Sequence, residues 1–155
     1  MTVTIALDLA DEAATGRLGE ALAARARPGD VIALEGPLGS GKSTLARAFV
    51  RALTAADEEV PSPTFTLVQT YETASGAVWH FDLYRLERPD DAYELDIEDA
   101  LADGICLIEW PDRLGPLLPA RRLHLTLAPG AAETARTATL DSHRQWDDRI
   151  GDISV

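Results

Sequence analysis

The stretch Val31-Ile32-Ala33-Leu34-Glu35-Gly36-Pro37-Leu38-Gly39-Ser40-Gly41-Lys42-Ser43-Thr44 decides how this chain folds. Its first four residues are apolar without alternation, the pattern of a strand buried on both faces of a parallel sheet. Gly36 to Ser43 then fit G-x-x-x-x-G-K-[ST], and good helix formers run from about Lys42 to Leu53. The glycines let the backbone turn tightly and approach an anion with no Cβ in between. Successive N–H groups then form an inward-facing nest, and the following helix adds its positive end. Lys42 reaches the outer phosphates of a nucleotide, and Ser43 offers its hydroxyl to Mg²⁺. The 14 basic residues of the chain are arginines except for Lys42. A forked, planar guanidinium does not replace a point charge in a loop packed on phosphate, so this position has a reason to escape the bias.

Working outward, residues 2–7 alternate and read as a first strand, and Asp11 caps a helix running to about Ala26 with Leu18 and Leu22 on its apolar face. Pro28-Gly29-Asp30 is a turn. After the second helix, Pro61 and Pro63 exclude helix. Thr64–Tyr71 and Ala77–Phe81 read as strands joined by a hairpin over Glu72–Gly76. Residues 87–103 suit short helix with an acidic outer face. Ile105–Ile108 is another buried strand, and Leu123–Leu127 and Thr134–Leu140 are late strands around Pro129-Gly130. The expectation is an α/β fold, its sheet parallel at the centre with antiparallel additions. One domain covers residues 1–140. Residues 141–155 form a polar, weakly specified C-terminal tail that can belong to the same domain.

At 155 residues, 46% hydrophobic and 26% charged, the chain has room for one ordinary domain and not for two. A formal charge of −12 repels phosphate backbones, so DNA binding and tight unaided binding of RNA are not expected. A single cysteine, Cys106, rules out an intramolecular disulfide and agrees with a reducing compartment. The N-terminal stretch lacks the pattern of a secretory signal, and no run is apolar for long enough to span a bilayer. The expected address is the cytoplasm, away from membranes.

A phosphate loop needs carboxylates to hold metal and place water. Asp82 ends Val78-Trp79-His80-Phe81, and Glu109 ends Ile105-Cys106-Leu107-Ile108. In a parallel sheet such strand ends form the ligand crevice. Either carboxylate can contact Mg²⁺ directly while the other acts through water. Thr64, on the proline-fixed loop, is either a sensor of the γ-phosphate or a simple turn hydroxyl. His80 is a general base or, more ordinarily for a strand histidine, a packed hydrogen-bonded side chain. Tyr84 and Arg85 can orient Asp82 or meet a partner. Cys106 reads as core, and His124 and His143 show no partner spacing.

Gly36–Ser43, Ser62-Pro63-Thr64-Phe65-Thr66-Leu67-Val68, His80-Phe81-Asp82-Leu83-Tyr84-Arg85-Leu86 and Ile105-Cys106-Leu107-Ile108-Glu109-Trp110-Pro111 together resemble the TsaE (YjeE) family over roughly residues 5–140. The loop alone is shared by a vast superfamily; the segments around Asp82 and Glu109 are much more specific. The resemblance implies a single P-loop NTPase domain with helices on both faces of the sheet. It implies an Mg²⁺-dependent ATPase, slow in isolation, that docks on the TsaB–TsaD pair and supports repeated threonylcarbamoyl transfer to the adenosine beside the tRNA anticodon. Contact with tRNA would come only through that complex. Carried over residue by residue, Lys42 grips phosphates, Ser43 and Glu109 bind Mg²⁺, Asp82 acts near the γ-phosphate, and Thr64 lies in a switch-like loop. Gly36, Pro37, Leu38, Gly39, Ser40, Gly41, Lys42, Ser43 and Thr44 hold the triphosphate. The segment at Asp11 and Glu12 borders the adenine. The basic residue expected after the penultimate strand is replaced by Glu133, leaving Arg136 as the nearest candidate for the base.

Two other readings compete. A small-molecule kinase needs a substrate pocket and a lid, and no arginine-rich lid insertion is visible. A nucleotide-gated adaptor binds without significant hydrolysis. Residues 87–103 or Glu109–Asp112 offer a docking patch, or are simply solvated.

Overall fold

The computed structural model describes residues 2–155 as one seven-stranded sheet with helices on both faces. Its strands are β1 (Thr4–Leu9), β2 (Val31–Glu35), β3 (Val68–Thr73), β4 (Gly76–Asp82), β5 (Ile105–Glu109), β6 (Leu123–Pro129) and β7 (Arg136–Asp141). They lie in the order β1-β7-β6-β2-β5-β4-β3. The central four, β6-β2-β5-β4, pair in parallel, while β1-β7, β7-β6 and β4-β3 are antiparallel. The expected fold class is the observed one.

Alternation along the central strands divides the core. Ile32 and Leu34 of β2 and Ile105 and Leu107 of β5 face a core built with Leu18 and Leu22 of α1 (Glu12–Arg25) and Leu45 and Phe49 of α2 (Lys42–Leu53). Val31, Cys106 and Ile108 face the opposite core, closed by Ile97 and Ala100 of α3 (Ile97–Asp103) and by Leu114. A strand covered on both faces has no polar side to show, which is why β2 and β5 read as continuous apolar runs.

Local chemistry explains most boundaries. Asp11 accepts from Ala14 N at 2.9 Å and caps α1 as expected, a contact typically worth about 1 kcal/mol. The strand expected from Thr64 begins only at Val68, because Leu67 N donates to Pro63 O and Leu67 takes a left-handed conformation (φ 69°). The acidic segment is not one helix. A 3-10 helix over Pro89–Leu95 stops at Asp96 (φ 59°), and α3 starts afresh.

Residues after Asp141 form turns, yet Trp146 and Ile150 are fully buried in the first core. Gln145 Oε1 accepts the first N–H of β2, from Val31, at 2.8 Å. Arg149 forks onto Asp30 at 2.7 and 2.9 Å. The weak sequence signal here reflects turns whose packing is long-range. No helix among the described residues is long and apolar enough to cross a membrane.

Candidate nucleotide site

The C-terminal ends of β4 and β5 and the loop that follows β2 meet at one cavity of about 310 Å³. Leu38, Gly39, Ser40, Gly41, Lys42, Ser43 and Thr44 line it from the loop side. Thr64, Asp82, Glu109 and Trp110 also line it, as do Glu12 and Arg136. Gly36 and Pro37 are set apart, lining a separate hollow beside Glu35. At Gly36 a Cβ would lie 2.6 Å from Leu127 O, so only glycine lets the loop leave β2 against β6. Gly41 precedes α2 at φ 100°, again outside the range of ordinary side chains.

The two long helices start differently. Asp11 caps α1, and acidic Glu12 sits in its first turn. Helix α2 has no side-chain cap and no acidic residue in its first turn. Its positive end and free first-turn N–H groups are therefore left for an anion. Lys42 starts that helix and is 5% exposed. Its ammonium donates to Gly36 O and, at 3.0 Å, to Pro37 O, and lies 4.3 Å from the centre of the Trp110 ring. Burial lowers its pKa below the ordinary lysine value, while the charges of Glu109 and Asp82 act the other way.

Asp82 and Glu109 are register partners across the parallel β4–β5 pair, which places two buried carboxyls side by side. Each is held by one neighbour or two. Asp82 accepts from Tyr84 N at 3.1 Å through Oδ1 and from Thr64 Oγ1 at 3.1 Å through Oδ2. Thr64 also meets Ser62 Oγ at 2.8 Å, so its hydroxyl is part of a chain rather than a solitary turn group. Glu109 Oε2 meets His80 Nε2 at 2.6 Å, with both side chains almost fully buried. A carboxylate can only accept, so Nε2 carries the proton of this bond. His80 thus takes the packed, hydrogen-bonded alternative, and its partner is a site carboxylate.

Several sequence candidates lie elsewhere. Arg85 stacks over the Phe65 ring at 4.6 Å and does not line the cavity. Burial pushes the Cys106 thiol up to about 12, which makes it inert. Arg136 lines the cavity, but its guanidinium is directed at main-chain carbonyls of the loop. Trp110, like Thr15, Ser62 and Thr134, lines the cavity without having been singled out from the sequence. It follows the strand-ending Glu109 in a left-handed conformation (φ 58°), which swings its ring under Lys42. A bulky aromatic placed directly after a candidate metal ligand was the available signal.

Among the described residues no group of three or more His, Cys, Asp or Glu is arranged to hold a metal ion. The candidate metal donors in the cavity lining, Ser43, Asp82 and Glu109, are all hard oxygens. That set suits Mg²⁺, which is usually held by one or two carboxylates together with substrate phosphates.

Residues 9–138 match the family described as threonylcarbamoyl adenosine biosynthesis protein TsaE. The tRNA threonylcarbamoyladenosine biosynthesis protein TsaE of Rickettsia felis is 37% identical over 121 residues, covering 78% of this chain and 71% of the relative. The protein of the same description from Bacillus subtilis is 36% identical over 114 residues, covering 73% and 70%. The crystal structure of Bacillus subtilis YdiB superposes with a TM-score of 0.71 at 28% identity, over 92% of this chain and 87% of that one. The P-loop, the two strand-end carboxyls and these matches lead to one conclusion: the chain belongs to the TsaE family of tRNA threonylcarbamoyladenosine biosynthesis.

Proposed function

We propose that this protein is an Mg²⁺-dependent ATPase that docks on a TsaB–TsaD pair and sustains repeated rounds of threonylcarbamoyl transfer to tRNA. The observation that carries the reading is the meeting of an uncapped, acid-free helix start with Lys42, Asp82 and Glu109 around one cavity.

In this reading the loop N–H groups and Lys42 grip the triphosphate. Moving the ammonium from the loop carbonyls to phosphate exchanges neutral acceptors for charged ones, which strengthens its hydrogen bonds. Ser43 and Glu109 hold Mg²⁺, whose chemistry is to neutralise charge on the outer phosphates. His80 ties up one oxygen of Glu109 and leaves the other for the cation. Asp82, fixed through Thr64 and Tyr84 N, orients the attacking water. Catalysis is then mostly positioning and charge stabilisation. Arg85 does not face the cavity, and Arg136, which lines it, is held on loop carbonyls, so this reading assigns any arginine finger to a partner, which would make turnover slow for the chain alone. The charge of −12 favours reaching tRNA through protein partners.

The test is reconstitution. Phosphate release from Mg-ATP should be slow for the chain alone and should rise with TsaB and TsaD, and modified tRNA should exceed the amount of complex. Stoichiometric transfer of phosphate to a nucleoside or sugar would replace this reading with a kinase. Multiple turnovers by a variant that cannot hydrolyse ATP would replace it with an adaptor.

A further inference from the structure

Arg136 opens β7, level with Leu9 of β1 and Pro129 of β6. Its guanidinium faces four main-chain carbonyls. Nε donates to Ser40 O at 3.0 Å and Nη2 to Gly39 O at 2.9 Å. Nη1 donates to Glu133 O at 2.8 Å and Ala135 O at 2.7 Å. Two acceptors belong to the phosphate loop and two to the approach to β7, so the side chain ties one to the other. Its stem also packs on the loop, since a Cβ on Gly41 would lie 3.9 Å from both Arg136 Cγ and Nε.

The direction of these bonds matters. In a planar trans peptide the N–H points opposite to the C=O. Drawing the Gly39 and Ser40 carbonyls out towards β7 turns the N–H groups of Ser40 and Gly41 inward. The Ser40 N–H, on the far side of the first of these peptides, closes a turn within the loop onto Pro37 O at 3.1 Å. A guanidinium has five N–H bonds, and main-chain oxygens take four of them here, so little remains to read a base edge.

We infer that Arg136 is a positioning residue that holds the loop in its phosphate-gripping shape, and that it does not recognise the nucleobase. This rests on the triphosphate reading above. The experiment compares Mg-ATP with Mg-tripolyphosphate, which offers the same phosphates and no nucleoside. Affinities are measured by calorimetry for the full chain and for Arg136→Met and Arg136→Lys, with thermal melts to establish folding. Both ligands should weaken by the same factor in Arg136→Met, about tenfold or more, as expected for disrupted hydrogen bonds at a charged site. Arg136→Lys keeps the charge without the fork and should weaken both equally but less. If Arg136→Met does not fold, Arg136→Lys carries the comparison.

Loss of ATP affinity with tripolyphosphate unchanged would overturn the inference in favour of base contact. A lower melting temperature with both affinities intact would overturn it too. An unaltered chain that binds neither ligand is a different failure, because it removes the triphosphate site itself.

Discussion

The two ends of the central strands bury charge in opposite ways. Below β2, Asp30 and Arg149 form a bidentate pair. Arg149 also donates to Arg25 O and Gln145 O and covers the Trp146 ring, while Asp30 accepts from Arg27 N. This charge is neutralised within the chain, and both terminal nitrogens of Arg149 are hydrogen-bonded, although its Nε has no hydrogen-bond partner among the described residues. Above β2 and β5, Lys42, Asp82 and Glu109 are as deeply buried. Among the described residues no carboxylate pairs with the Lys42 ammonium, and burial lowers its pKa. Self-satisfied charge closes a fold, whereas charge left unpaired at buried sites is kept for something that arrives.

Substitutions at each end should separate stability from binding. Lys42→Ala has the largest expected effect. Removing two charge-assisted hydrogen bonds to phosphate costs roughly 3–6 kcal/mol of ATP affinity, enough to abolish binding in calorimetry, with the melting temperature unchanged or raised. Normal ATP affinity would break the comparison. Arg149→Leu should do the reverse. It strands Asp30 and lowers unfolding free energy in urea by about 3–5 kcal/mol, while the folded fraction binds ATP normally.

Asp82→Asn should retain ATP binding and slow phosphate release about 10²-fold or more, the range of a lost acid–base or water-orienting group. Unchanged single-turnover rates would show that Asp82 is structural. The smallest effect is expected for His80→Leu, which frees the held oxygen of Glu109. Mg²⁺ affinity, read from the Mg²⁺ dependence of ATP binding, should fall about 10- to 100-fold, with partial rescue in His80→Gln. Equal losses with and without Mg²⁺ would show that His80 serves packing alone.

Local signals carried far. The bounds of α2, the cap at Asp11 and the buried strand before the loop follow from propensity and pattern over a few residues. They were legible because neighbours in sequence supply the deciding contacts. The same signals failed where a distant partner decides. The run from Thr64 reads as strand, but Pro63 O captures Leu67 N and turns the chain. The tail looks polar, but Trp146 finds its core between elements far back in the chain. His124 and His143, with no spacing to link them, come within 6.0 Å across β6 and the tail.

By itself the sequence determined the strand–loop–helix unit, the two carboxylates at strand ends and the α/β class, because backbone conformation and hydrophobic alternation are local properties. Only the tertiary structure decided that His80 holds Glu109, that Trp110 lies beneath Lys42 and that Arg136 faces the loop. Each of those contacts joins a side chain to a different strand or loop. Which residues meet there depends on strand order and register, and in a parallel sheet these are set by how whole elements pack.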